Sequence, residues 1–391
     1  MKYPNDKLGS HIDILSGFAF KSSDFIDSGI PVIKIKNITP PSVTLEDLSY
    51  VSEEIAEQQS KYLLKHNDVL IALTGSHINQ MASVVGRIAR VRYDIPSLLN
   101  QRVGKITVFN PEEANIDYIY YFLSQNSIKI LLASKAGGAA NQANISPTDI
   151  KNLMIPFPDI QIQRKIASVL SAYDDLIENN QKQIKLLEEA AQRLYKEWFI
   201  DLRFPGHENT PIHDGLPEGW ELGTLGQLAA FKRGQMITKD LVQHGTVPVV
   251  AGGLEPAYYH NIANTKAPVI TVSGSGANAG YTKMYHVDVF ASDCSFADIN
   301  STSSLEYAYC FLIEKKNDLR HMQKGSAQPH VYAKDINALP ILIPEVCLLK
   351  KFCDIVAKML DKIGILEKQN ILLMQARDCL IPKLMSVEID V

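Results

Sequence analysis

Two stretches of the chain repeat apolar residues at alternating spacings of four and three positions. The positions of the first stretch are Ile166, Leu170, Tyr173, Ile177, Asn180, Ile184, Leu187, Ala191, Leu194 and Trp198. The positions of the second stretch are Phe352, Val356, Met359, Ile363, Leu366, Asn370, Leu373, Arg377, Leu380 and Leu384. A period of about 3.5 residues is typical of the seam of a coiled coil. The pattern therefore predicts two long helices whose apolar stripes pack on each other.

The asparagines in the two stripes indicate how the helices are oriented. If the helices are antiparallel with aligned ends, Asn180 faces Asn370. In a parallel pair Asn180 would face Leu366, and a buried amide without a partner costs about 1–3 kcal/mol. A paired asparagine layer also fixes the register of a coiled coil. We therefore expect antiparallel helices of about 35 residues and about 50 Å, with Asn180 and Asn370 setting the register.

Both helices belong to a longer internal repeat, a feature that decides domain organisation. The segment from Gln142 to Pro158 matches the segment from Gln328 to Pro344 at an offset of 186 residues, which continues through both helices. Nearer the N-terminus the offset rises to 217, so the first copy carries 31 more residues in its globular part. The chain is therefore a two-fold repeat of a globular domain followed by a helix.

The repeat predicts an α+β protein with pseudo-two-fold organisation, in which two tandem mixed α/β domains are each followed by a long helix. We expect the first domain over residues 1–158, the first spacer helix over 159–201 and a linker over 202–221. The second domain then covers 222–344, and the second spacer helix with the C-terminal tail covers 345–391.

Each domain is expected to mix short strands with one clear helix. The apolar runs at 69–73 and 269–272 predict buried strands, each followed by a polar loop that contains glycine. The helices are predicted at 117–132 and 304–315.

Composition and charge narrow the classes of function. The chain has 391 residues, is 46% hydrophobic and carries a formal net charge of −4, so any positive field that binds nucleic acid must be local. No apolar run approaches the roughly 18 residues of a membrane span, and the start has no apolar stretch typical of a signal peptide. The five cysteines form no Cys-x-x-Cys pair. We expect a reduced, cytoplasmic setting without a structural zinc site.

Polar loops beside glycine provide candidate DNA contacts. Asn, Gln, Arg and Lys side chains suit base edges, whereas Ser, Thr and backbone amides suit phosphates. Taken alone, each loop is also typical of an ordinary turn. The candidate DNA-binding residues are Lys34, Lys36, Asn37, Thr74, Ser76, His77, Asn79, Gln101, Arg102, Asn141, Gln142, Lys232, Arg233, Ser275, Asn278, Lys283, Lys324, Gln328 and His330.

Motifs for catalysis are not found. The sequence has no Walker loop, no His-Glu-x-x-His and no Gly-x-Ser-x-Gly. Thr39-Pro40-Pro41-Ser42 lacks the amide or carboxylate and the aromatic residue of the amino-methyltransferase motif. The histidines are too dispersed to suggest a metal site. We therefore expect neither a catalytic centre nor a metal or cofactor bound by this chain.

Several short motifs resemble one family. Trp198-Phe199-Ile200-Asp201 closes the first predicted helix, and Leu216-Pro217-Glu218-Gly219-Trp220-Glu221 opens the second half. With Leu99-Asn100-Gln101-Arg102-Val103 and the duplicated plan, the chain resembles the DNA-specificity subunit of type I restriction–modification systems over essentially its full length. The first domain departs from the family pattern, because it lacks its own Pro-x-Gly-Trp and starts close to Leu8-Gly9.

The resemblance implies a subunit of a defence system against foreign DNA. Two target-recognition domains would each read half of a split double-stranded site, and the helices would act as a ruler between them. Two methyltransferase subunits, which carry S-adenosylmethionine, would dock on the chain, and restriction (motor–nuclease) subunits would join for cleavage. Trp198 and Phe199 are candidate partner-docking residues, with the alternative that they cap the coiled coil against a globular domain. The chain itself would be no enzyme and would bind no cofactor.

Two alternatives remain at this point. A type II restriction–methylation system can use a similar specificity subunit, whose partner both cuts and methylates. A non-DNA scaffold could hold two ligand-binding modules on a coiled-coil rod, and it would show no salt-dependent binding to duplex DNA.

Overall fold

The structure, a computed structural model, describes residues 3–75, 85–136, 143–321, 330–386 and 388–389. Its contacts divide the chain into two compact units. The first unit contains residues 1–177 and 372–391, and the second contains residues 178–371. Each unit therefore combines one globular part with segments of both long helices, whereas the boundaries expected from the sequence follow the chain in order.

The first unit is built around a mixed sheet of six strands. Its central strand, Val69–Ala72, is buried along its whole length, as its uninterrupted apolar sequence predicts. In order across the sheet, the strands are Ile12–Ser16, Val103–Val108, Val69–Ala72, Ile88–Arg90, Ser42–Val43 and Ile38–Thr39. The smaller sheets are Leu98–Leu99 with Ile30–Ile33 and Ser49–Val51, Thr74–Gly75 with Ala143–Asn144, and Asn5–Lys7 with Met154–Pro156.

Helices of the first unit begin at polar caps. Ser52, Asn115 and Ser146 each accept a hydrogen bond from a backbone N–H of the first turn. The α-helices outside the long pair are Glu53–Gln58, Ile116–Ser124, Asn126–Lys135 and Pro147–Lys151. The single helix expected at 117–132 is therefore two helices, because the backbone of Gln125 is extended and ends the first of them.

The second unit repeats the first four strands of the six-stranded sheet in the same order. They are Lys232–Arg233, Cys294–Asp298, Val269–Ser273 and Thr282–Tyr285. The smaller sheets are Tyr258–His260 with Val247–Val250 and Phe290–Ala291, Glu221–Thr224 with Pro340–Ile343, and Ile212–His213 with Leu216–Pro217. The α-helices outside the long pair are Leu225–Leu228, Leu305–Glu314, Lys316–His321 and Ala333–Asn337.

The repeat seen in the sequence is also a repeat of hydrogen bonds. In the first unit the N–H of Leu8 donates to the carbonyl oxygen of Leu153 across 2.8 Å, and in the second the N–H of Leu225 donates to Leu339 across 2.9 Å. The N-terminal strand pairs with the strand before the long helix in both units. The first domain thus completes the shared plan without its own Pro-x-Gly-Trp.

The long helices are Ile160–Phe199 and Val346–Met385, each of 40 residues. Within the second unit they are antiparallel, as the heptads predict. Asn180 Nδ2 donates to Asn370 Oδ1 across 2.9 Å, and both side chains are buried. This is the pairing expected for helices with aligned ends.

The first unit contains an ion pair between the same two helices. Arg377 occupies a position of the apolar stripe, and its guanidinium bonds the carboxylate of Asp174, which is buried. Tyr121 also donates to Asp174, across 2.7 Å. Ile166 and Leu384 belong to one buried cluster of this unit, which again indicates antiparallel helices. The fold class expected from the sequence is confirmed.

Candidate nucleic-acid interface

In each unit, two neighbouring strands run parallel, so the chain leaves both strands at the same edge. In the first unit these strands are Ile30–Ile33 and Leu98–Leu99. Lys34 follows the first strand. A tight turn follows the second strand and exposes the side chains of Gln101 and Arg102. Two of the predicted loops therefore meet at one edge.

A third segment joins this edge through backbone hydrogen bonds. The N–H of Leu73 donates to the carbonyl oxygen of Arg102, and the N–H of Ile145 donates to that of Leu73, both across 2.9 Å. Thr74 pairs with Asn144 and is itself buried. Five predicted residues flank these segments but lie outside the described residues, namely Ser76, His77, Asn79, Asn141 and Gln142.

The second unit builds the same edge from different side chains. Val247–Val250 and Phe290–Ala291 are its parallel strands. The backbone of Ser275 pairs with that of His330, and Arg233 and His330 line a cavity of about 20 Å³. The structure thus brings together three residues that are far apart in the sequence. The predicted Lys324 and Gln328 lie outside the described residues.

Two of the other predicted cations are exposed, and one is partly buried. Lys36 pairs with Asp47 on the surface, and Lys232 is exposed beside Arg233. Lys34 lies 3.9 Å from the centroid of the Phe25 ring, and burial lowers its pKa. Lys36 and Lys232 therefore remain better placed than Lys34 for a phosphate.

Asn37 is corrected from a DNA contact to an internal contact. Its side chain is 1% exposed. Its Oδ1 accepts from the N–H of Lys34, and its Nδ2 donates to the carbonyl oxygen of Glu46, both across 3.0 Å. The oxygen and the nitrogen of the amide thus both bond the backbone of the loop, so neither is available to a base.

Lys283 is partly buried, and its described contacts lie within the second unit. It lies within the strand Thr282–Tyr285, with its Nζ 5.1 Å from the centroid of the Tyr285 ring. Burial raises the pKa of Glu367 on the second long helix, and the Lys283 ammonium opposes this. The Lys283 ammonium is therefore close enough to the second long helix to stabilise the charged form of Glu367.

The predicted Asn278 is half-buried and ends a short 3-10 helix. Its backbone carbonyl oxygen accepts a hydrogen bond from the N–H of Tyr281.

The predicted partner-docking residues form part of the core of the second unit. Trp198 and Phe199 are 7% and 3% exposed. The Phe199 ring lies 4.6 Å from the ring of Tyr307, 4.9 Å from Phe352 and 5.7 Å from Trp220, centroid to centroid. The motif that closes the first helix therefore packs on the motif that opens the second half, and the docking role is corrected to a structural one.

The search for cations and amides missed Asp293, which lines the same cavity as Arg233 and His330. Ser275 Oγ donates to the Asp293 carboxylate. Tyr332, also missed, stacks on the His330 ring with 5.8 Å between centroids. The match between the two repeats indicates Asp293, since it directly precedes the strand Cys294–Asp298 as Arg102 directly precedes the strand Val103–Val108.

In the part of the chain that the structure describes, no group of three or more His, Cys, Asp or Glu side chains could hold a metal ion. Among the same residues, no helix is both long enough and apolar enough to cross a membrane. All five cysteines are thiols without a disulfide.

The sequence of this chain matches a family model and several known proteins. The family model of the type I restriction modification DNA specificity domain matches residues 5–189 and again residues 217–374. The MjaIX specificity subunit of Methanocaldococcus jannaschii, a type I restriction enzyme subunit, is 28% identical over 301 residues, which are 70% of this chain and 69% of that protein. The MjaVIII specificity subunit of the same organism is 29% identical over 188 residues, which are 48% of this chain and 43% of that protein.

A solved structure shares the fold. The crystal structure of the type I restriction–modification S subunit from M. genitalium superposes with a TM-score of 0.60 at 19% identity, and the match covers 98% of this chain and 96% of that one. The family model matches both halves of the chain, in agreement with the duplicated edges and antiparallel helices. The chain therefore belongs to the family of type I restriction–modification DNA-specificity subunits.

Proposed function

We propose that this chain reads a split site in double-stranded DNA, with one half-site recognised by each unit, and has no catalytic role of its own. The observation that carries this proposal is the duplicated loop edge. Both edges are assembled by equivalent backbone hydrogen bonds, yet they display different side chains. A single scaffold used twice with different side chains is suited to reading two different base sequences.

The residues assigned to the interface are exposed, except Ser275 and His330, which are partly buried at the loop edge. The described ones are Lys36, Gln101, Arg102, Lys232, Arg233, Ser275 and His330. Arg can bond guanine through two donors, and Gln can bond adenine in the same way. The lysines can neutralise phosphates. A local set of cations is compatible with the net charge of −4, because the net charge does not fix where the individual charges lie.

The long helices are proposed to set the distance between the two half-sites. Each helix is continuous over 40 residues, and a buried polar contact within each unit ties one helix to the other. Such contacts oppose sliding of one helix along the other, since a shifted register would separate the polar partners.

Recruitment of partner subunits is the second part of the proposal. On the helix pair of the second unit, an open apolar groove of about 400 Å³ is lined by residues that include Leu186 and Ile355. These side chains are 64% and 40% exposed, and their equivalents one repeat away, Leu372 and Val169, are 56% and 39% exposed. Equivalent exposed apolar pairs favour two copies of one partner, each docked on one unit.

We assign those two partners as methyltransferase subunits, which would supply S-adenosylmethionine and the methyl transfer. Restriction subunits would join the same assembly for cleavage. The proposal places the whole system in the cytoplasm, where foreign DNA is met.

Methylome sequencing of cells that express this chain with its methyltransferase subunit tests the proposal. We expect one modified motif with two defined half-sites and a gap of fixed length. Modification at a contiguous motif, or modification that is the same without this chain, would contradict it.

The spacer role is tested by inserting one heptad into both long helices at matched positions. The insertion adds about 10 Å of helix, so the gap should grow by about three base pairs. An active variant with an unchanged gap would reject the spacer role and leave the recognition role standing.

A further inference from the structure

Arg102 and Asp293 occupy the same backbone position in the two units. The N–H of Leu73 donates to the carbonyl oxygen of Arg102 across 2.9 Å, and the N–H of Gly274 donates to that of Asp293 across 3.1 Å. One residue further along the chain, the carbonyl oxygen of Val103 accepts from Gly17, and that of Cys294 accepts from Gly234. The two turns are thus held by matching bonds on both sides.

Both turns also require a glycine beside them, at Gly17 in the first unit and at Gly234 in the second. A Cβ added at Gly17 or at Gly234 would lie 2.3 Å from a backbone oxygen of the neighbouring turn. Only glycine fits this close approach. Matching bonds and a matching glycine therefore hold both turns, although the turn of the second unit is one residue shorter, and the side chain that each turn displays differs.

That side chain carries opposite charges in the two units. Arg102 is exposed on the surface of the first unit. In the second unit, the Asp293 carboxylate is half-buried and accepts from Ser275 Oγ, while Arg233 lines the cavity from a different strand. Thr74 stands at the position equivalent to Ser275, since these two residues pair with Asn144 and His330 respectively.

A carboxylate at a DNA-facing turn is informative about its target. It repels phosphates, so it is compatible with a base edge that donates a hydrogen bond, namely the amino group of cytosine N4 or adenine N6. A guanidinium at the matching turn is suited to the O6 and N7 acceptors of guanine. The same backbone position would then read bases of opposite hydrogen-bonding character.

We propose that residues 102 and 293 are matching specificity-determining positions. Arg102 reads a guanine in one half-site, and Asp293, positioned by Ser275, reads the exocyclic amino group of a cytosine or adenine in the other. This inference rests on the proposed function, because it assumes that each unit reads one half-site.

The test uses the complex of the full chain with its methyltransferase subunits and a library of split-site duplexes, with one half-site randomised at a time. Sequencing of the bound DNA gives the base preference at each position. Asp293→Arg should change the preferred base at one position of one half-site to guanine, and Asp293→Asn should weaken the original preference there. A lost or gained bidentate contact corresponds to a change of about 5- to 150-fold in discrimination. The other half-site should be unaffected.

Ser275 provides a test of positioning. Ser275→Ala should keep the same preferred base and lower the discrimination at that one position. Ser275→Thr should restore it, because threonine keeps the hydroxyl and already stands at the matching position of the first unit. Asp354→Asn, a change of the same size and charge at an exposed position of the second long helix, should leave both half-sites unchanged.

Thermal unfolding separates misfolding from misreading. If Asp293→Arg fails to fold, Asp293→Asn, which keeps the size of the side chain, decides the question. If Asp293→Asn is folded and both half-sites keep their wild-type preferences, the proposal is wrong, although the split site still supports the proposed function. If the wild-type complex selects no split site, the proposed function itself fails.

Discussion

The loop edges of the two units differ in charge although their backbones match. In the first unit the two turns that follow the parallel strands carry Lys36 and Arg102, and in the second the equivalent positions are Gly253 and Asp293. The second unit carries its arginine instead on a strand, at Arg233. The comparison teaches that buried backbone bonds preserve the frame, while exposed positions on that frame are open to change without loss of the fold.

The helix pair shows a second difference of the same kind. Arg377 and Asp174 form a buried ion pair in the first unit, and the positions one repeat away are Ala191 and Leu360, both buried in the second unit. At this position between the two long helices, the first unit therefore has an ion pair and the second has apolar side chains. Since desolvating two charges offsets much of their attraction, the ionic layer is not expected to be the more stable one.

The largest expected effect comes from breaking this ion pair. Arg377→Ala should lower the free energy of unfolding by about 3–5 kcal/mol, because Asp174 would be left as a buried charge without its cation. The double variant Asp174→Leu with Arg377→Ala copies the layer of the second unit and should recover most of the loss. Denaturant unfolding of the purified chain measures both.

Arg164→Ala is the matched control for this experiment. Arg164 lies on the first long helix, as Asp174 does, and pairs with Glu112 across 3.1 Å, but its side chain is 40% exposed. Its removal should cost about 1 kcal/mol or less. A loss as small as this for Arg377→Ala would show that the buried pair contributes no more to the free energy of unfolding than an exposed pair does.

The asparagine layer of the second unit gives an intermediate effect. Asn180→Ile should lower the free energy of unfolding by about 1–3 kcal/mol, because Asn370 loses its buried partner. Changing both asparagines to isoleucine should recover stability, and Asn179→Ile, at the exposed neighbouring position, should have little effect. If Asn180→Ile stabilised the chain, the facing pair would not set the register.

The smallest expected effect concerns pH. His286 lies 3.9 Å from Asp361 in the second unit, as Arg92 lies 3.9 Å from Asp175 at the equivalent place in the first. The His286 ring packs on Gly364, where a Cβ would lie 2.4 Å from the ring. Burial lowers the pKa of His286, and Asp361 only partly opposes this.

The folded second unit therefore favours the neutral ring of His286. Its contribution to stability is complete above the unfolded pKa of about 6.5 and is lost as the pH falls through the lowered folded value. Thermal unfolding between about pH 7.5 and pH 5 should show a steeper loss for the wild type than for His286→Gln. His244→Gln, at an exposed position, should follow the wild type. Equal slopes for wild type and His286→Gln would contradict the assignment.

Periodicity in the sequence was sufficient to predict the helices, their orientation and the facing asparagines, because a heptad reports directly which side chains are buried. It did not predict the partner of Arg377, since Asp174 lies one position off the apolar stripe. The break at Gln125 was also missed, as the apolar residues continue across it and only the backbone changes.

Single loop residues were harder to predict than helices. Asn37 and Lys283 have the residue types of DNA contacts, yet residue type does not show that Asn37 bonds Lys34 and Glu46 within its own loop or that Lys283 lies beside Tyr285 of its own strand. The burial of Trp198 and Phe199 could not be predicted from the local sequence, because Trp198 packs on Phe352 and Phe199 packs on Tyr307 and Trp220. Asp293 was overlooked because its role follows from the match between the two units rather than from its own neighbourhood.

Photocrosslinking tests the central claim most directly, that each unit reads a different half-site. A photoreactive residue would replace Gln101 in one preparation and Arg233 in another, each in the complex with the methyltransferase subunits bound to the split DNA site. We predict that the Gln101 position crosslinks to bases of one half-site and the Arg233 position to bases of the other. Crosslinking of both positions to the same half-site, or to the gap alone, would contradict the account.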